Sequence, residues 1–348
     1  MKNNLSRSLR VLSLGEYCKI WRNKDARKHL LTWHYPYWLQ SSNTAGYVAR
    51  TADEDCEDPI IPLIGGHNSK YYARPVLCSQ KDFFKVGEMF TFGRDLWNLP
   101  LRWVAVSKNI LILVDNIDVA VEKGHYGTNG IYYCNSGEAP LWVTYEESDL
   151  CIYIEKIFAE NSFNKKERTS LIDGNFEHLL VSHTGELRIP DYVDEIPANR
   201  YFEDEYCEKL KILPRNKPLR IGFRSFFRSN ITRVEGLDNI DCIDVEAFQN
   251  TVIDTLTIGN VNKICSGAFS YGSLEKLAIN GTIGLIGDYA FAGNYVHEVE
   301  CPGNILEIGP FAFSGNYLTD KMASKITDAV ILQYHSSIFD KQKKGLRK

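Results

Sequence analysis

Four times between residues 243 and 313 an apolar residue is followed, four and five positions on, by Ala-Phe. The copies are Ile243…Ala247-Phe248, Ile264…Ala268-Phe269, Ile286…Ala290-Phe291 and Ile308…Ala312-Phe313, so the phenylalanines recur at a nearly constant interval. A degenerate earlier copy ends at Phe227. Behind each of the first three phenylalanines comes an alternating block: Ile253-x-x-Leu256-x-Ile258, Leu274-x-x-Leu277-x-Ile279 and Val296-x-x-Val299-x-Cys301. Alternation of this kind points two apolar side chains inward from a short strand. A fixed period of a few tens of residues is the signature of stacked coils, each too small to bury its own apolar face and stable only against its neighbours.

Each block is followed by a Gly/Asn pair, namely Gly259-Asn260, Asn280-Gly281 and Gly303-Asn304, residues that tolerate the positive φ of a tight corner. The segment Leu187-Arg-Ile189-Pro190…Val193…Ile196…Tyr201-Phe202…Leu210-x-Ile212 has the same order of features at looser spacing, which starts the solenoid near residue 185. At the far end Thr319-Asp320 reads as a helix N-cap, followed by Met322, Ile326, Ala329 and Val330 at helical spacing. That helix is expected to cap the last coil. The tail Lys341, Lys343, Lys344, Arg347 and Lys348 is expected to be solvated and frayed.

The order Ile-x-x-x-Ala-Phe…Leu-x-x-Leu-x-Ile resembles the BspA-type leucine-rich repeats of bacterial surface antigens, over residues ~185–318. The resemblance implies a repeat array that presents a binding surface. If Leu256 and Ile258 point inward, Thr255 and Thr257 point outward, and the equivalent pairs follow coil by coil. The ladder is Lys209 and Lys211, Arg233 and Glu235, Thr255 and Thr257, Lys276 and Ala278, Glu298 and Glu300. It runs from basic through small to acidic, a graded strip suited to a protein or peptide of opposite polarity, or else a plain solvated face.

Residues 1–180 differ in character and hold all six tryptophans, at 21, 33, 38, 97, 103 and 142, which predicts a separate compact α+β module. Strands are expected at Val86–Phe92, Leu101–Val106 and Ile110–Val114, and helices at Asp149–Phe158 and Lys165–Ile172. Trp33, Tyr37 and Trp38 form an aromatic run readable as a carbohydrate-stacking platform or as core. Val11-Leu-Ser-Leu14-Gly-Glu16, Tyr37-Trp38-Leu39-Gln40-Ser41-Ser42, Ala45-Gly46-Tyr47-Val48 and Ala73-Arg74-Pro75-Val76-Leu77 are similar to the second half of an uncharacterised bacterial domain family with W-W-L-R-S-P and G-V-R-P-A signatures. Residues 87–172 resemble its first half. This order implies a circularly permuted single domain or two partial modules; the same elements are similar to the C-type-lectin-like fold. The predicted whole is thus a 1–180 α+β module, a 185–318 leucine-rich-repeat β-solenoid, and a 319–348 capping helix with basic tail.

Composition narrows the function. Forty basic against 44 acidic residues give a formal net charge of −4, no field to attract nucleic acid or an anionic membrane. The polar start and the short Val11–Leu14 run encode no signal peptide or membrane span, which predicts a cytoplasmic protein, or a surface or secreted one only if it is exported by a non-classical route. Nine cysteines without a C-x-x-C pair fit neither a disulfide framework nor a zinc site, and are expected to be reduced, mostly buried thiols. No nucleophile elbow, zincin, P-loop or dinucleotide motif is present. Candidate catalytic groups, Glu16, His34, His67, Arg74, Asp95, Glu146 and Glu147, share no motif, and Gly65-Gly66-His67 reads as a turn. The expectation is a non-enzymatic binding protein without cofactor or metal; the alternative is a glycan-binding or glycan-processing protein acting through the N-terminal module, where paired carboxylates would do the chemistry.

Overall fold

The computed structural model describes residues 5–31, 37–39, 47–49, 60–62, 70–71, 74–115, 131–132, 154, 158–334, 337–340 and 342. Two compact units divide the chain: residues 1–96 with 100–184, and residues 97–99 with 185–348.

The first unit mixes helices with an antiparallel sheet. Six strands pair in the spatial order Leu9–Val11, Pro75–Cys78, Ile110–Leu113, Pro100–Ala105, Met89–Arg94 and Val181–Ser182. The three strands expected near 86–114 are therefore present. They form because Val, Ile, Leu, Phe and Trp recur in short runs: these side chains are buried, Trp103 completely so, with its indole N–H donating to the Phe92 carbonyl at 2.8 Å. Helix Leu14–Trp21 starts in a capping box: Glu16 N–H donates to Ser13 Oγ, and the Glu16 carboxylate accepts from Ser13 N–H. Helix Lys165–Asp173, as the sequence predicts, has the same device in Asn164 and Glu167, and stops at Gly174, whose φ of 69° is a left-handed C-cap. Most of the helix expected over 149–158 lies outside the described residues; the short helix Ala159–Ser162 begins just beyond that span.

The second unit is a β-solenoid of seven coils. Each of the first six contributes one strand to a front parallel sheet: Glu186–Ile189, Lys209–Ile212, Arg233–Glu235, Thr255–Ile258, Lys276–Ile279 and Glu298–Glu300. A back sheet of seven strands runs from Glu195–Ile196 through Leu219–Ile221, Ile240–Ile243, Val261–Ile264, Thr282–Ile286 and Asn304–Ile308 to Val330–Tyr334. A turn then carries one aromatic ring per coil into the core. Tyr201, Phe226, Phe248, Phe269, Phe291, Phe313 and Phe339 stack in a single column with centroids 4.9–6.1 Å apart, close to the spacing of neighbouring strands. The degenerate copy thus places Phe226, not Phe227, in the column. Phe227 stacks instead on Phe202, one step outside it.

Two left-handed residues flank each ring from Phe226 to Phe313. Arg224, Glu246, Gly267, Tyr289 and Phe311 lie two positions before it; Arg228, Asn250, Tyr271, Gly293 and Gly315 lie two positions after it, all at φ of 50–74°. For non-glycine residues this conformation costs about 1–2 kcal/mol each. It is held because the N–H groups of the turn donate to the next coil, as in Glu246 to Ser266, Phe248 to Ala268 and Asn250 to Ser270 carbonyls, at 3.2, 2.7 and 3.0 Å. Inter-coil hydrogen bonding therefore continues around the turn as well as along the sheets.

The Gly/Asn corners are occupied as expected but for a different reason. Gly259, Gly281 and Gly303 do not have positive φ; their Cβ atoms would instead lie 2.6 Å from Asp238 Oδ1, 2.4 Å from the Gly259 carbonyl carbon and 2.1 Å from the Gly281 oxygen. Close approach of consecutive coils, not the corner's dihedral, demands glycine there.

The C-terminal helix is Asp320–Asp328, and Val330 lies in the last back strand, not in the helix. Thr319 is the N-cap residue, without a side-chain capping bond. The helix replaces the front strand of a seventh coil, so the coil pattern passes beyond residue 318. Lys325 Nζ donates to the Val299 carbonyl at 2.8 Å, satisfying part of the front sheet's final edge. Of the basic tail, Lys341, Lys343, Lys344, Arg347 and Lys348 lie outside the described residues.

Candidate functional site

Strand register builds the front face directly. In 255–258 the exposure pattern alternates, with Leu256 and Ile258 buried and Thr255 and Thr257 exposed. Cα pairing places Glu186, Lys209, Arg233, Thr255, Lys276 and Glu298 in one row. Arg188, Lys211 and Glu235 begin a second row, and Thr257, Ala278 and Glu300 end it. Every ladder residue named from the sequence thus sits on the outward face, and one further coil, carrying Glu186 and Arg188, extends it.

The second row is broken between Glu235 and Thr257. After Arg233 pairs with Thr255, the next pairing joins Leu237 to Ile258, so coil 3 holds one residue more than coil 4 over this stretch. The extra residue falls at Gly236, whose φ is +84° and whose Cβ would lie 2.1 Å from the Ile212 oxygen. A glycine bulge of this kind bends the strand away from its neighbour. Beside it opens a groove of about 850 Å³ lined by residues 232–238, with Asp254, Thr255, Thr257 and the corner residues Gly259, Asn260, Asn280 and Gly281. Its charged lining is Glu235, Asp238 and Asp254 against Arg233, an acidic balance. Asp238 is held in place by Asn260, whose backbone and side-chain N–H groups donate to Oδ1 at 2.7 and 3.0 Å.

Ion pairs modify the predicted charge gradient. Glu186 accepts from Arg188 at 2.5 Å and Lys209 at 2.9 Å, Glu235 from Arg233 at 3.0 Å and Lys209 at 3.3 Å, and Glu298 from Lys276 at 2.8 Å. Hydrogen bonds from Lys209 and then Arg188 push the Glu186 carboxyl down to about 2. Coils 1–3 still carry four cations against two carboxylates, and coils 4–6 one cation against two carboxylates. Coil 1 adds one charge of each sign, so the basic excess of the sequence ladder is unchanged but is spread over three coils and tied up in ion pairs.

Residues 184–327 match the family described as BspA type Leucine rich repeat region, in six copies. The matched stretch covers the six front strands and ends inside the helix that stands in for a seventh. No curated protein matches the chain. Leucine-rich repeats are commonly protein-interaction scaffolds, and their solenoids are generally non-enzymatic.

The remaining candidates fall elsewhere. Trp33 lies outside the described residues; Tyr37 and Trp38 are on strand Tyr37–Leu39, paired with Tyr47–Ala49 and through it with Ile60–Pro62. Glu16 is bound to its cap and to Arg10 at 2.6 and 2.8 Å; burial opposes its ionisation, but the Arg10 guanidinium keeps it below the ordinary range. Arg74 is fully buried and donates to the Leu113, Leu30 and His29 carbonyls at 2.9, 3.0 and 2.9 Å. Asp95 is also buried, and His34, His67, Glu146 and Glu147 lie outside the described residues. Among the described residues no helix is long and apolar enough to cross a membrane.

Two features were missed in the sequence, although the recurring Gly293-Asn294-Tyr295 and Gly315-Asn316-Tyr317 triplets mark the second of them. Tyr271, Tyr289 and Tyr295 project from the turns with 44–60% of their surface exposed. Asn294 and Asn316 are wholly buried three residues after their column rings: Asn294 accepts from Leu274 N–H and donates to the Phe269 and Phe291 carbonyls at 3.2, 2.7 and 3.0 Å. Asn316 repeats this one coil on, and Gln342 repeats the donation to the Phe313 and Phe339 carbonyls.

Proposed function

We propose that this protein is a non-enzymatic scaffold whose front sheet binds an extended protein or peptide segment. The observation that carries the reading is the groove at the Gly236 bulge, in the middle of the outward face and between Arg233, Glu235, Thr255 and Thr257. A flat face offers area; a groove with an excess of carboxylates offers a seat for one Lys or Arg side chain of the partner, the kind of central anchor that dominates interface energetics. The partner's polarity follows from the flanks, acidic toward coils 1–3 and basic toward coils 4–6.

The test is selection of a displayed peptide library on the intact protein, followed by affinity measurement against Thr257→Arg, Thr255→Arg and the double charge reversal Lys211→Glu with Glu300→Lys. These positions are exposed or half-buried on the face, so the fold tolerates the changes. Expected are basic-centred peptides that lose about tenfold or more in affinity, ~1.4 kcal/mol, on either threonine substitution. Peptides that bind all variants equally would sink the reading. A ligand found only among glycans would move the function to the N-terminal module and to Trp33, Tyr37 and Trp38.

A further inference from the structure

On the opposite sheet, Cys242 of coil 3 and Cys265 of coil 4 bring their sulfurs within 3.5 Å. Asp244 adds a carboxylate, and the three ligand atoms all lie within 4.8 Å of one another. The sequence hides this cluster because its cysteines stand a whole coil apart along the chain. Stacking converts that separation into contact: Ile243 pairs with Ile264 facing the core, and Cys242 and Cys265 flank that pair diagonally.

The diagonal decides what such a pair can do. Two residues along a strand and one strand across place the Cα atoms about 8 Å apart, beyond the ~7 Å that a disulfide can span without backbone movement. A tetrahedral ion with bonds of ~2.3 Å to each sulfur holds the sulfurs about 3.8 Å apart, close to the separation already present. Both thiols are nearly buried, 7–8% exposed, so the coils on either side set their positions. Arg220, the register partner of Cys242, donates to Asp244 Oδ2 at 2.7 Å, and Val245 N–H donates to Oδ1 at 2.8 Å. Arg220 thus orients the carboxylate and also competes for it.

We propose that Cys242, Cys265 and Asp244 form a three-ligand site for a thiophilic divalent cation of the zinc type, joining coils 3 and 4 across the back sheet. Binding replaces two S–H protons, released to solvent, with two metal–thiolate bonds; the carboxylate is the third ligand and water completes the tetrahedron. No electron changes hands. The class follows from ligand softness, since two thiolates select zinc-group ions over calcium or magnesium.

The experiment uses the full reduced chain and cadmium ion as probe, read by the ultraviolet thiolate-to-cadmium charge-transfer band and by cadmium NMR. Expected is uptake of about one equivalent with a shift diagnostic of two sulfur ligands. The band should be lost in Cys242→Ser and in Cys265→Ser, and affinity should fall roughly tenfold or more in Asp244→Asn. It should strengthen in Arg220→Ala, which frees the carboxylate, and stay unchanged in Cys301→Ser. Cadmium NMR of the unaltered protein reads the ligand set even if a serine variant fails to fold. Absence of uptake by the reduced chain, a band that survives both serine variants, or ready formation of a Cys242–Cys265 disulfide under mild oxidation would each overturn the assignment.

Discussion

Single side chains in the turns carry much of the solenoid's specificity. Asn294 satisfies one backbone N–H and two carbonyls that are otherwise shut from water, so Asn294→Ala should cost about 2–3 kcal/mol, measured as a lower urea midpoint at unchanged m-value. At Gly303 the added methyl of alanine meets the Gly281 oxygen at 2.1 Å. Gly303→Ala should therefore lower stability by at least ~1–3 kcal/mol, whereas Gly15→Ala, in open space at the start of a helix, should leave stability unchanged or raise it by up to about 1 kcal/mol. On the front face, Glu186 titrates at about 2, so its ion pairs with Lys209 and Arg188 are intact above the ordinary carboxylate range and are lost as pH falls toward 2. Lys209→Met should move the Glu186 carboxyl midpoint, followed by NMR, upward toward that range. Residue-level detail was the least legible part of the sequence. Phe226 and Phe227 are adjacent and chemically identical, and only the spacing counted from Ile221, the same as from Ile243 to Phe248, selects Phe226 for the column. The corner glycines were recognised, but only stacked coils reveal that crowding is their reason. The buried asparagines do repeat, as Gly293-Asn294-Tyr295 and Gly315-Asn316-Tyr317, but nothing in two polar turn residues says that they are buried.

Elements were far easier to read. Leu-x-Ile alternation fixes which side chains of each front strand face out, and the register carries that assignment from coil to coil, so Lys209, Arg233, Thr255, Lys276 and Glu298 fall in one row as expected. The alternation fails where a strand gains a residue: in Arg233-Val-Glu-Gly-Leu237 the register to coil 4 skips Glu235, which keeps its partner Lys211 in coil 2, and beside that slip lies the candidate groove. At the C-terminal end the helical spacing of Met322 and Ile326 was legible, but Ala329 and Val330 continue it only by coincidence, because a β-branched residue beyond the C-cap fits a strand equally well. The helix stands over strand Glu298–Glu300, and Lys325 ties it down. Lys325→Met should loosen that cover and expose unpaired backbone groups of the edge strand. Concentration-dependent self-association in light scattering, absent from the unaltered chain, is the expected result.

At the scale of the whole molecule the solenoid is a one-dimensional stack in which every coil touches only its neighbours, and its stability is a sum of coil and interface terms. Phe248→Ala removes a ring from the middle of the column, costing about 3–5 kcal/mol and weakening two interfaces at once. Its thermal transition should broaden or split, whereas Phe339→Ala, at the end of the column, should fray one terminus and leave the main transition sharp; calorimetry distinguishes the two. The regular return of Ala-Phe made this architecture plain in the sequence, whereas the tryptophan count did not mark the boundary cleanly, since Trp97 belongs to the second unit.

The direction of the backbone hydrogen bonds has a mechanical meaning. In both sheets and in the turns they run along the stacking axis, from each coil to the next. Tension applied along that axis pulls these bonds apart one interface at a time, as links in series, and does not shear many of them together. Such an array yields at low force and in steps of one coil, lengthening by about 70 Å for each link released. When the load is removed, the neighbouring coil remains as a template on which the freed segment can wind again.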